Sequence, residues 1–203
     1  MLYALSKFIS IPSVSNSPQH REDCRQGAIW LKKCLNQLGA SRSTLVGSSY
    51  FLGTQFLTPP VKVSTGDTTN PLVFAAFQGA HHGVSKKRVL FYGYVPRTIS
   101  QVHYPNWQLC RHYDVIAAPA RDWQTDPFTL TGRNGYLYGR GATDNKGPII
   151  AVACAAAELL RKRSLNVDLI MLVEGEEESG SAGFREAIQK NKVSNPFIQV
   201  DSY

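Results

Sequence analysis

The run Val167-Asp168-Leu169-Ile170-Met171-Leu172-Val173 is apolar at six of seven positions and shows no polar alternation. A strand of this kind is buried on both faces, so it needs a sheet covered by other layers. Thr44 to Val46, Leu72 to Phe77, Val89 to Gly93 and Phe197 to Val200 read as further strands. Helical spacing falls between them. Leu2, Leu5, Phe8 and Ile9 share one face of residues 1–10. Ala28, Leu31, Leu35 and Leu38 recur at three- and four-residue steps from Arg21 to Leu38, with Gly39 placed as the C-terminal cap. The Ala-rich stretch Ile149 to Leu160 follows Gly147-Pro148, a favoured helix opening, and Ala182 to Lys190 reads as a last short helix. This alternation predicts an α/β fold, a layered mixed sheet flanked by helices.

A length of 203 residues suits one domain with a real core, or part of a larger one. The chain stops directly after a strand, at Asp201-Ser202-Tyr203, with no closing helix, which reads as truncation at the C-terminus. An apolar fraction of 43% with three tryptophans argues for a globular protein. No apolar run approaches the roughly 18 residues of a membrane span. The first residues lack the basic and apolar blocks of a secretory signal, so a cytoplasmic location is expected. Cys24, Cys34, Cys110 and Cys154 form neither a CxxC pair nor a metal-ligand spacing and read as free thiols. The net charge of +7 is spread along the chain without basic stripes carrying interleaved aromatics, which argues against nucleic acid as a partner.

Three clusters carry chemistry: His112-Tyr113-Asp114, the Gly-rich turn Gly139 to Gly147 around Asp144, and Glu174 to Ser181 with three consecutive glutamates. Each has a plain alternative. A lone His-x-Asp is common, glycines around an aspartate make turns, and Glu176 to Glu178 could open a solvated helix. In this order they are harder to dismiss, because each follows a strand or sits in a tight turn. Side chains at strand ends converge where sheets bind ligands. Imidazole and carboxylate ligands plus a free carboxylate as base are what a metal-assisted hydrolase needs.

With Asn70-Pro71-Leu72-Val73-Phe74, Trp123 to Thr131, Gly139 to Pro148 and Glu174 to Ser181, the sequence resembles the M20 metallopeptidases. Within them it is most similar to the peptidase-like subunit of a fungal glutathione-degrading complex. The resemblance implies a zinc-peptidase catalytic domain that hydrolyses peptide or amide bonds of small peptides, including glutathione-type substrates. It implies that His112 binds one metal ion and Asp114 holds its imidazole. Asp144 would bridge two ions through a turn with a cis peptide to Asn145, Glu178 would bind the second ion, and Asp201 would add a ligand to the first. Glu177 would be the general base, with Glu176 its rival. The cofactors implied are two divalent ions, zinc first and manganese or cobalt as alternatives. The partners implied are a glutamine-amidotransferase-like subunit and, at full length, a second copy of the chain. A family member would also carry a further histidine ligand and a dimerisation domain downstream, so these 203 residues alone are expected to be inactive. The alternative functions are a non-catalytic peptidase-fold subunit and an inert product of faulty splicing.

In the family the strand runs straight into its histidine. Here Tyr94 to Arg111, eighteen residues without helical or strand period, intervene after Gly93. Removing them joins Phe91-Tyr92-Gly93 to His112-Tyr113-Asp114-Val115. The segment reads as a translated, unspliced intron: Gly93-Tyr94-Val95 can be encoded with GTATGT, Cys110-Arg111 with CAG, and the excision keeps the frame. The rival is a true surface loop, since loops lengthen at modest entropic cost. His103 within it is a rival ligand, but His112 has the Tyr-Asp-Val context.

Overall fold

The computed structural model describes residues 1–46, 69–80, 88–91, 111–184 and 187. Its main sheet has four strands: β1 (Arg42–Val46), β2 (Leu72–Phe77), β3 (Arg88–Phe91) and, later in the chain, β6 (Asp168–Val173). The order is β1-β2-β6-β3, antiparallel except for the parallel β3–β6 pair. The mixed sheet expected from sequence is therefore present. Every residue of β2 and β6 is buried, as their unbroken apolar runs require.

One sheet face, carrying Val73, Ala75, Phe77, Leu169, Met171 and Val173, packs against three helices. These are α1 (Leu2–Ile9), α2 (Arg21–Gln37) and α3 (Lys146–Arg161). Phe8 enters this core from α1, Ala28, Leu31 and Leu35 from α2, and Ile149, Ile150, Ala153 and Ala156 from α3. The opposite face, with Leu72, Phe74, Ala76, Ile170 and Leu172, is covered by Phe184 and Ala187. Gly39 closes α2 with φ 99°, as expected of a cap. Helix α3 opens at Lys146, three residues earlier than Ile149. Pro148 is tolerated there because the first helical N–H groups have no intrahelical acceptor.

A two-stranded hairpin, β4 (Thr131–Arg133) with β5 (Tyr136–Tyr138), was not among the expected elements. Its turn, Asn134-Gly135, has φ 52° and 80°, the pair of positive values that a two-residue hairpin turn needs. The helix expected over Ala182 to Lys190 is described only in part, with Phe184 and Ala187 helical. The strand expected at Phe197 to Val200, Asp201, Cys110 and residues 94–110 lie outside the described residues. Cys24, Cys34 and Cys154 are free thiols. Among the described residues, no helix is long and apolar enough to cross a membrane.

The parallel pairing beside β6 occurs twice. Along β3, Arg88 lies opposite Asp168 and Phe91 opposite Met171. Beyond it, His112 bridges in parallel to Glu174, with Glu174 N–H donating to the Arg111 carbonyl at 3.1 Å and Tyr113 N–H to the Glu174 carbonyl at 2.9 Å.

Candidate metal centre

The site lies where β6 ends. Beyond Val173 the chain passes through Glu174 and Gly175 into a single 3₁₀ turn, Glu177–Ser179. Beside it runs His112-Tyr113-Asp114, fixed from both sides. The Ser13 hydroxyl donates to the Tyr113 carbonyl at 2.7 Å, Val115 N–H donates to the Ser13 carbonyl at 2.9 Å, and the Tyr113 hydroxyl donates to the Pro71 carbonyl at 2.8 Å. Tyr113 passes so close to Gly175 that a Cβ there would overlap its hydroxyl, so only glycine fits.

Asp114 is fully buried and ties the two segments together. Its carboxylate accepts from Glu177 N–H at 3.3 Å and from Glu178 N–H at 3.1 Å. His112 Nδ1 lies 2.9 Å from the Asp114 carbonyl and 3.5 Å from its carboxylate. The imidazole is thus held chiefly through the main chain, while the carboxylate's best bonds go to the turn. Two acceptors on Nδ1 fix its proton there and aim Nε2 outward.

Nε2 meets a ring of carboxylates. Asp144 Oδ1 is 3.0 Å away and Glu177 Oε2 is 3.7 Å away. Donor atoms of His112, Asp144 and Glu178 lie within 4.8 Å of one another. Burial works against charge on His112, but the bonds to Asp114 and the negative charges of Asp114 and Glu177 outweigh it, lifting its pKa to about 9. Burial raises the Glu178 carboxyl, and the charges of Asp114, Glu177 and Asp144 add to the effect against the pull of His112. Carboxylates gathered around one imidazole nitrogen are satisfied either by a proton on His112 or by a metal cation in its place. A nitrogen and carboxylate oxygens are the donor set that zinc-type ions take, so these residues fit a metal. The Asp144 side chain is 72% exposed, leaving the centre open to solvent on that side. The Asp144–Asn145 peptide bond is cis.

Of the expected site residues, the structure brings together His112, Asp114, Asp144, Glu177 and Glu178; Asp201 lies outside the described residues. Glu176 is occupied elsewhere. Its Oε1 accepts from Asn70 N–H at 2.8 Å and its Oε2 from the Ser179 hydroxyl at 2.6 Å, which leaves Glu177 as the carboxylate facing Nε2.

Sequence reasoning missed Lys146. It is wholly buried, and its ammonium donates to the Phe8 carbonyl at 3.0 Å and the Ile11 carbonyl at 2.6 Å, with the Phe8 ring centre 5.0 Å away. Burial pushes its pKa down to about 7. The lysine anchors the first helix to the loop of Asp144, and only its place in Asp144-Asn145-Lys146-Gly147 hinted at it.

Residues 109–201 match Peptidase family M20/M25/M40. That segment belongs to peptidase family M20. The chain is 37% identical over 198 residues to "Probable di- and tripeptidase DUG2" of Saccharomyces cerevisiae, covering 94% of the chain and 19% of that protein. It is 34% identical over 201 residues to "Cys-Gly metallodipeptidase DUG1" of Candida albicans, covering 97% of the chain and 36% of that protein. The crystal structure of human carnosine dipeptidase 1 superposes with a TM-score of 0.69 at 29% identity, covering 98% of this chain and 36% of that one. The chain therefore spans between about a fifth and a little over a third of the length of these curated relatives.

Proposed function

We propose that this chain supplies part of the catalytic centre of a metal-dependent hydrolase that cleaves peptide or amide bonds in small peptides. The observation that carries the reading is the convergence of His112, Asp144 and Glu178 within 4.8 Å, with Glu177 beside them. A divalent cation bound there supplies Lewis-acid polarisation of the carbonyl and acidifies a water molecule. The chain's own residues do the rest. Glu177, 25% exposed, reaches the centre from the 3₁₀ turn and takes the proton of the attacking water, then returns it to the leaving amine. Asp114 holds the N–H groups of Glu177 and Glu178, and so sets where base and ligand stand relative to His112. The exposed side of Asp144 is the approach left to substrate.

In the finer reading two ions, zinc before manganese or cobalt, would be held by His112, Asp144 and Glu178 with Asp201 as an added ligand. The names of the relatives, di- and tripeptidase and Cys-Gly metallodipeptidase, support a di- or tripeptide substrate. Glutathione breakdown in the cytoplasm is the setting we propose for it. Pairing with a glutamine-amidotransferase-like subunit and a second copy of the chain belongs to the same proposal.

The test is calorimetric titration of the chain with Zn²⁺ alone, beside Asp144→Ala and Glu178→Ala. Binding that each substitution weakens at least about tenfold is expected for lost ligands. Unaltered binding in both variants, or no binding by the parent, refutes the ligand set.

A further inference from the structure

Glu176 stands next to the base, yet its carboxylate is turned away from the centre. Its half-buried side chain bridges two points: Oε1 receives Asn70 N–H at 2.8 Å and Oε2 receives the Ser179 hydroxyl at 2.6 Å. Its main-chain carbonyl closes the same turn, accepting from Ser179 N–H at 3.1 Å and Ser181 N–H at 2.6 Å. Asn70 answers from the other side, its Nδ2 donating to the Gly175 carbonyl at 2.9 Å. The next residue, Pro71, receives the Tyr113 hydroxyl. The start of β2 is thus fastened to both segments that carry the centre, at Gly175-Glu176 and at Tyr113.

We propose that Glu176 is a positioning residue, and that the Asn70–Glu176–Ser179 clamp sets the geometry of the turn presenting Glu177 and Glu178. The proposal rests on the reading of His112, Asp144 and Glu178 as metal ligands and Glu177 as base. The turn has one helical repeat and no side-chain cap at its start, so its own hydrogen bonds cannot fix it. Asp114 holds it from the side of His112, and Glu176 holds it from the side of β2. Both grips are charge-assisted hydrogen bonds, the stronger kind. Two grips on opposite sides leave Glu177 and Glu178 a single orientation. Removing one lets the turn pivot about the other, which lengthens the distance from Glu178 to His112 and Asp144.

The experiment compares Glu176→Ala and Glu176→Gln in the 203-residue chain, with two readouts. The first is Co²⁺ titration followed by visible absorption. Glutamine keeps an oxygen for Asn70 N–H and an amide for the Ser179 hydroxyl, so Glu176→Gln should bind Co²⁺ within about threefold of the parent with the same spectrum. Glu176→Ala should bind about 10- to 100-fold more weakly, the usual effect of losing a residue that orients a ligand, with a changed spectrum. The second readout needs no metal: amide hydrogen exchange across Gly175 to Ser181. Protection should fall in Glu176→Ala and persist in Glu176→Gln, while exchange in α2 stays as in the parent. A parent that binds no cobalt overturns the ligand reading, and amide exchange then decides the clamp by itself. Unchanged exchange in Glu176→Ala, or equal loss in both variants, overturns the clamp.

Discussion

Deleting residues 94–111 joins Gly93 to His112, and the sheet register fixes where the histidine would then fall. Partner numbers differ by 80 along β3, where Arg88 faces Asp168, and by 62 at the bridge, where His112 faces Glu174. The shortfall is eighteen, the number of residues removed. The deletion therefore brings His112 to its place opposite Glu174 in the register that β3 already keeps, with Gly93 taking over the carbonyl position of Arg111. Counted as a flexible loop, a connection of that length would cost about 2.5 kcal/mol to close. Against this stands the loss of the Arg111 side chain, buried and donating to Asn145 Oδ1 at 3.4 Å, a bond of about 1 kcal/mol. The balance favours the deletion by about 1–2 kcal/mol, a rise in Tm of roughly 2–8 °C for a domain of this size. Differential scanning calorimetry of the two proteins reads the shift directly, and zinc titration should give the same affinity in both. A lower Tm with weakened zinc binding would show that the segment supports the centre, and the register argument would fail. A cDNA sequence across Gly93 to His112 bears on the origin of the segment. Reads lacking these codons support excision; genomic bases without GT at Gly93 or AG at Arg111 rule it out.

Glu177→Gln should leave zinc affinity within a few fold and lower peptide hydrolysis by about 10²–10⁴-fold in a protein that is active, the range for loss of a general base; steady-state kinetics with a dipeptide measure it. Leu31→Ala, in the core between α2 and the sheet, should cost about 2–5 kcal/mol in urea unfolding, without a direct effect on the centre. Burial pushes the Cys24 thiol up to about 12 and the Cys34 thiol up to about 11. Both folded values lie above the ordinary thiol value, so the stability owed to the neutral thiols is intact below about pH 9 and is lost as pH rises toward them. Denaturation at pH 8 and pH 10.5 should show the decline, and a Cys24→Ala, Cys34→Ala double variant should lose part of it.

Strands β2 and β6 were legible because burial on both faces leaves an unbroken apolar run, and α2 because its core contacts recur at helical steps. The β4–β5 hairpin was not foreseen. Its strands are three residues long, and Tyr136, at 69% exposure, gives no pattern of burial. Only Asn134-Gly135 announced it. In the candidate centre, the clusters around His112, Asp144 and Glu178 were legible as imidazole and carboxylates near strand ends or in a tight turn, and the resemblance to the M20 peptidases gave them their proposed roles. Their supports were not. The bond from Asn70 to Glu176 spans 106 positions and that from Lys146 to Phe8 spans 138, and no local spacing records such pairs. Asp114 was expected to act on the imidazole; its carbonyl and carboxylate both face Nδ1, and the carboxylate also holds the turn.

The buried Lys146 gives the first eleven residues an influence beyond their size. A protease that clipped the chain ahead of Pro12 would carry off both carbonyls that receive the ammonium, together with the ring lying over it. The amine would be left without acceptors in the core, two positions from Asp144. Wear at the N-terminus would then be felt first at the loop that carries Asp144, long before the sheet gave way.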